Sequence, residues 1–227
     1  FPATARTWQG LVGMVFRREI KLSADVPELV RGTEVEGETP AVEGHWENID
    51  NAGTHGSVFA QQAFECAVRD GHSAIFVDMP PAPTSGNNAA GVVTLEDEAG
   101  LRPYWIKYEK DQILLPIRTV VENGQLKLQQ VRFKECSTEP EGEFGEVEVH
   151  RIRVLRRDWV ADGTGMRPRV IWQLYRKQKT DDGSEKYLFE TEGQISLPEI
   201  PVAFVYTRKT GLGRSCPPLA ELAEQNL

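Results

Sequence analysis

Residues 113–136, ILLPIRTVVENGQLKLQQVRFKEC, decide the reading of the fold. Ile113–Val121 is rich in β-branched residues, Asn123-Gly124 is the dipeptide preferred by two-residue hairpin turns, and Gln125–Cys136 resumes an alternating pattern. The spacing predicts two antiparallel strands. The same texture continues outward. Tyr104–Tyr108 precedes the pair. After a Glu/Gly-rich turn at Glu139–Gly145 come Glu146–Arg157, a turn at Asp162–Gly165, Arg169–Lys179, a turn at Asp181–Gly183, then Lys186–Glu190 and Pro201–Tyr206. This is an antiparallel meander. In two of its strands the apolar phase slips, from Leu126/Leu128 to Val131/Phe133 and from Val147/Val149 to Ile152/Val154, which predicts a bulge or a strong bend in each.

Upstream the texture is helical. Trp8, Leu11, Val12, Val15 and Phe16 form one stripe over residues 4–18. Gly10 and Gly13 lie in the same turns, so Trp8, Gly10, Leu11, Gly13 and Phe16 mark a candidate packing helix that another backbone approaches closely. Ser57 caps a second helix over 57–70, whose face carries Phe59, Ala63, Cys66 and Ala67 and which Gly71 ends. Ser73–Asp78 follows as a buried strand. Residues 19–56 read as a solvated acidic loop with helical turns near Leu29 and at His45–Ile49. Thr84–Gly91 reads as a loop, Thr94–Ala99 as a short helix, and Pro217–Asn226 as a last helix. The fold class expected is α+β: N-terminal helices on a mostly antiparallel β-meander. The organisation expected is a helical part over 1–100, a β-rich part over 101–216, and the start of a helix over 217–227. A chain that opens at Phe1 and stops inside a helical pattern reads as a piece of a longer protein.

The 227 residues carry a net charge of −8, with 40% hydrophobic and 26% charged residues. That apolar fraction excludes a wholly disordered chain. No apolar run reaches the ~18 residues of a membrane-spanning helix. An acidic balance argues against a surface that binds nucleic acid all over. The cysteines Cys66, Cys136 and Cys216 are odd in number and far apart, so no disulfide framework or zinc motif is indicated and a reducing compartment fits. Cys66 falls on an apolar helix face and reads as a packed thiol.

Chemistry-bearing motifs are missing from the sequence. His45, His55, His72 and His150 do not stand at metal-ligand spacing with another His or Cys. His72 and Asp78 flank a strand, which sets them about 20 Å apart. No phosphate-binding Gly-rich loop and no GxSxG elbow occur. Ser215 has no partner base nearby in sequence. The carboxylates Glu34/Glu36/Glu38 and Glu139/Glu141/Glu143 read as solvated loop residues, though a hydrolase or nuclease would draw on such groups. No metal or cofactor is implied.

One charge feature is sharp. Arg151, Arg153, Arg156, Arg157, Arg167, Arg169, Arg176, Lys177 and Lys179 face only Asp158 and Asp162 within 151–179, a local charge of +7. Two readings stand: a basic ribbon for nucleic acid or an acidic neighbour, or an exposed sheet face balanced by the acidic segment Glu135–Glu148. Arg151, Arg153, Arg156, Arg157, Arg169, Arg176 and Lys177 are the candidate subunit or DNA contacts. Segregated acidic and basic blocks also suit head-to-tail subunit contacts.

Residues 6–18, RTWQGLVGMVFRR, resemble the start of a portal-like family of tailed phages and prophages, long catalogued as a domain of unknown function. Further similar segments follow in order: Ile49-Asp50 with Gly53-Thr54; Gly71 and Ile75–Asp78 with Pro80; Leu101–Trp105; Ile200–Val202; and Pro218–Leu222 with Asn226-Leu227. The resemblance implies a portal wing or body region without its stem helices, clip or crown. It implies a structural subunit with no catalytic residues, which forms a homo-oligomeric ring, usually a dodecamer, at one capsid vertex. Its implied partners are terminase, capsid and head–tail connector proteins, and double-stranded DNA passing through the channel, with no membrane. Its implied location is the virion, after assembly in the bacterial cytoplasm. A nucleic-acid-binding module built on residues 151–179 is the alternative.

Overall fold

The computed structural model describes residues 3–32, 44–80, 102–161, 163, 165–180, 183–195 and 197–224. The fold is α+β and mostly β, with antiparallel sheets. The chain forms two compact units. One comprises Phe1–Lys107, Val202–Thr210 and Arg214–Leu227, the other Tyr108–Pro201 with Gly211–Gly213. Packing therefore does not follow the boundaries at 100/101 and 216/217. A strand from late in the sequence completes the sheet of the first unit.

In that unit α1 (Ala3–Val15), α2 (Glu28–Arg31) and α3 (Gly56–Asp70) precede β1 (His72–Asp78) and β2 (Tyr104–Tyr108). β8 (Val202–Tyr206) pairs antiparallel with β1, His72 opposite Tyr206 and Phe76 opposite Val202, giving a sheet ordered β2-β1-β8. α3 packs on this sheet, and α1 packs on α3. α3 buries Phe59, Ala63, Cys66 and Ala67 against Ala74 and Phe76 of the strand that follows it. The cap of α3 differs from expectation. His55 is the N-cap, its Nδ1 accepting from the Ser57 amide at 3.2 Å, while Ser57 Oγ is buried without a partner among the described residues. Imidazole reaches the first turn as the expected hydroxyl would, from a position two residues earlier. Gly71 ends the helix at φ 98°, and a Cβ there would stand 2.4 Å from Ser215 Oγ, so both conformation and space demand glycine. Tilted rings of Phe16 and Phe64, 5.7 Å apart, join α1 to α3. The final helix, α4 (Ala220–Glu224), is shorter than predicted among the described residues.

The second unit is the meander: β3 (Ile113–Glu122), β4 (Gln125–Glu141), β5 (Gly145–Ala161), β6 (Met166–Lys179) and β7 (Glu185–Ile195), neighbours in chain order. Asn123 and Gly124 both take positive φ, 51° and 76°, as the type I′ turn requires. The strands outrun their predicted ends. Glu139 and Glu141 belong to β4 and not to a loop, because a sheet exposed on both faces keeps charged residues in its ladder and shows no apolar alternation there. The β4 phase slip is a register shift: Arg118 pairs with Gln130 and Thr119 with Leu128, so Gln129 is the extra residue. The β5 slip is not a bulge. Its pairing runs unbroken from Gly145 to Arg156 against β4 and from Arg151 to Ala161 against β6. Successive residues Val154 and Leu155 are both buried, one on each face. A second break lies between Leu114 and Arg118 on the edge strand β3, around Pro116, which has no N–H for a ladder. The short strands β9 (Lys209–Gly211) and β10 (Arg214–Ser215) pair as a separate ribbon.

The core of this unit holds Tyr108, Ile113, Val131, Phe133, Leu155, Val170 and Ile200. Tyr108 and Phe133 stack at 3.9 Å with their planes 4° apart. The Trp172 indole lies across Gly193 of β7, where a Cβ would come within 2.5 Å of the ring. The segments 33–43 and 81–101, including Glu34, Glu36, Glu38, Thr84–Gly91 and Thr94–Ala99, lie outside the described residues.

Candidate functional site

Strand register sorts the basic residues. Directly opposed residues of an antiparallel pair share a face, and neighbours along a strand alternate. Arg151, Arg153 and Arg157 of β5 and Arg176 of β6 therefore lie on the face that also carries Val131, Phe133, Leu155 and Val170. Arg156 of β5 and Arg169 and Lys177 of β6 lie on the other. The structure does not bring the seven residues into one ribbon.

Nor are the charges of six of the seven open. The Arg151 guanidinium donates to Glu190 at 2.7 and 3.1 Å, to Ser137 Oγ at 2.7 Å and to Glu139. Arg176 donates to Glu139 at 3.0 Å and stands 3.7 Å from Glu190. Two guanidiniums and two carboxylates thus close a neutral network over four strands. The break in β6–β7 register makes it possible: Leu174 pairs with Thr191 and Tyr175 with Phe189, leaving Glu190 as the extra residue whose carboxylate meets both arginines. The hydrogen bond from Arg151 holds the carboxyls of Glu139 and Glu190 below their ordinary value, against the opposing effect of burial, and the same bonds raise Arg151.

Arg153 donates to Glu135 at 2.6 Å, and the same carboxylate oxygen accepts from Tyr108 Oη at 2.5 Å. Arg156 pairs with Asp158 at 2.7 Å and Lys177 with Glu185 at 2.5 Å. Arg169 reaches Gln194 at 3.4 Å. Arg157, only 6% exposed, binds Glu122 through two bonds and the Pro198 carbonyl through a third. Partners from β3, β4, β5 and β7 offset most of the charge of the +7 segment, and these acids come from outside Glu135–Glu148 as well as from within it.

The packing helix also differs in detail. Val12 is buried, and Trp8, Leu11 and Phe16 are half-buried. Gly10 and Gly13 are exposed, with no atom within 4 Å of an added Cβ, and Val15 is exposed. No described backbone approaches these glycines. They sit on the solvent side of the stripe because α3 meets α1 along the Val12–Phe16 edge.

Two groupings escaped the sequence because the partners are far apart in the chain. His72 Nδ1 lies 2.7 Å from Ser215 Oγ across 143 positions. Its imidazole is 3% exposed and packed beside Phe204 and Tyr206, so this contact ties β10 to β1. Asp78 instead accepts from Tyr104 Oη at 3.3 Å and from the Met79 amide, consistent with its separation from His72. The second grouping joins Cys136, Glu148 and His150 on β4 and β5. An acid and a histidine two positions apart, on a strand whose partner carries a cysteine, was its only sequence signal. Cys66 is buried, as its helix position predicted, and receives a 3.6 Å contact from Lys107 Nζ. Among the described residues no helix is long and apolar enough to cross a membrane.

No protein-family model compared with the chain matches it, and no curated protein does.

Proposed function

We propose that the chain is the wing-like body of a structural subunit of a phage portal ring, which serves genome packaging and ejection without catalysis of its own. The observation that carries this reading is the ordered series of portal-like segments from Arg6 to Leu227. The α+β architecture with a long antiparallel sheet is compatible with it. The subunit would assemble with copies of itself, usually twelve in this family, and meet terminase, capsid and connector proteins, with double-stranded DNA passing through the ring. It would reside at the portal vertex of the virion after assembly in the host cytoplasm.

The alternative, a DNA-binding module on residues 151–179, is weakened by two features. The basic side chains divide between two sheet faces, and six of the seven are paired with carboxylates. A phosphate would have to displace those partners before releasing any counterion-driven free energy. Quantitative mass spectrometry of purified phage particles tests the portal reading. Presence at a low copy number fixed relative to the major capsid protein is expected. Absence from complete particles would overturn it.

A further inference from the structure

Carboxylates pair with Arg151, Arg153, Arg156, Arg157, Arg176 and Lys177 of the meander, whereas three metal-ligating side chains on its exposed part have no such partner. Cys136 and His150 oppose each other directly across the β4–β5 ladder, and Glu148 precedes His150 by two residues on the same face. The thiol, one imidazole nitrogen and one carboxylate oxygen all lie within 4.8 Å of one another, and all three residues are exposed. None of the three side chains makes a hydrogen bond or ion pair with another described residue.

We propose that Cys136, Glu148 and His150 form a binding site for zinc or a similar late first-row divalent cation. The donor set is one sulfur, one nitrogen and one oxygen, which suits zinc and disfavours the oxygen-seeking magnesium and calcium ions. Zinc bonds of about 2.0–2.3 Å in a tetrahedron place ligand atoms roughly 3.3–3.8 Å apart. Rotation of exposed side chains covers the difference from the observed spacing, with no backbone movement. The two strands are locked in unbroken register from Gln130 to Glu141 on one side and from Gly145 to Arg156 on the other, so the ligand positions are preorganised. Three protein ligands leave a fourth position for water or an incoming group. The nearby Lys177 charge does not oppose a cation, because Glu185 bridges it at 2.5 Å, and the Glu185 carboxylate lies within electrostatic reach of His150.

The test is titration of the full chain with zinc and with cobalt(II) in the presence of a non-thiol reductant, read by calorimetry and by absorption. One equivalent of metal and a thiolate-to-cobalt charge-transfer band are expected. Cys136→Ser should abolish the band, and His150→Gln should weaken binding by at least about 10-fold, the loss that even outer-shell partners cause. Glu148→Gln should weaken binding while keeping the band. Cys216→Ser, a thiol outside the site, should change neither. Because the three ligands are exposed, circular dichroism of the variants should match the parent. Failure to bind near one equivalent, a band that survives Cys136→Ser, or unchanged affinity in His150→Gln would overturn the proposal.

Discussion

Arg157, buried in the meander, grips Glu122 with a two-pronged contact, Nη1 to Oε1 at 2.5 Å and Nη2 to Oε2 at 2.8 Å, while its Nε donates to the Pro198 carbonyl at 2.6 Å. The bond joins the last residue of β3 to β5 across the intervening strand. It also joins both to the segment that leaves the sheet after β7. Arg157→Ala should cost at least about 2 kcal/mol, as loss of charge-assisted bonds by a buried group does. Arg157→Lys should recover little of it, because an ammonium cannot make the planar fork. Urea denaturation of the three proteins measures this.

The Tyr108–Phe133 stack lies at the centre of the β-unit, with Phe133 fully buried. Phe133→Ala should destabilise by about 3–5 kcal/mol through lost burial and a residual cavity. Phe144, at the tip of the β4–β5 hairpin, is 92% exposed. Its replacement by Ala should change stability by less than about 0.5 kcal/mol. Similar effects at the two positions would contradict the placement of the core.

The arginine–carboxylate network predicts an acid limb in stability. Hydrogen bonds from Arg151 hold Glu139 and Glu190 below the ordinary value of 4.5, and Arg157 does the same for Glu122. The unfolded chain therefore takes up these protons first as pH falls. The stabilisation is complete above pH 4.5 and is lost as pH drops through the depressed folded-state values. Thermal melts at decreasing pH should show that decline, and the Glu139→Gln/Glu190→Gln double variant should flatten it.

Pairing of the basic segment predicts weak contact with DNA. Titration with duplex DNA at physiological salt should give no more than the nonspecific range of about 10⁻⁴–10⁻⁶ M. Tight binding at that salt, falling steeply as salt rises and lost in Arg156→Ala/Arg169→Ala, would restore the nucleic-acid reading.

Local chemistry made the β3–β4 hairpin legible: a turn dipeptide with two positive-φ positions between alternating strands leaves little else to form. The helix 57–70 and strand 73–78 were equally plain, each having an apolar pattern and a glycine stop. The strand ends were hidden because Glu139, Glu141 and Thr191–Ile195 extend the ladder without any buried face to impose a period. The site was less legible. Nine basic residues in 29 positions look like one patch in sequence, but a two-residue side-chain period sends four of them to one face and five to the other. Their acidic partners are supplied by strands 12 to 39 positions away in the chain for Arg151, Arg153, Arg157 and Arg176. The grouping of Cys136 with His150 depends wholly on the β4–β5 register, and the turn at Gly142–Phe144 lacks the dipeptide signal that Asn123-Gly124 supplies for β3–β4.

The most direct measurement of the portal reading is electron microscopy of the protein purified at its full natural length. Closed rings with rotational symmetry, dodecameric in the usual case, are predicted. Monomers alone at every concentration and salt condition would contradict it.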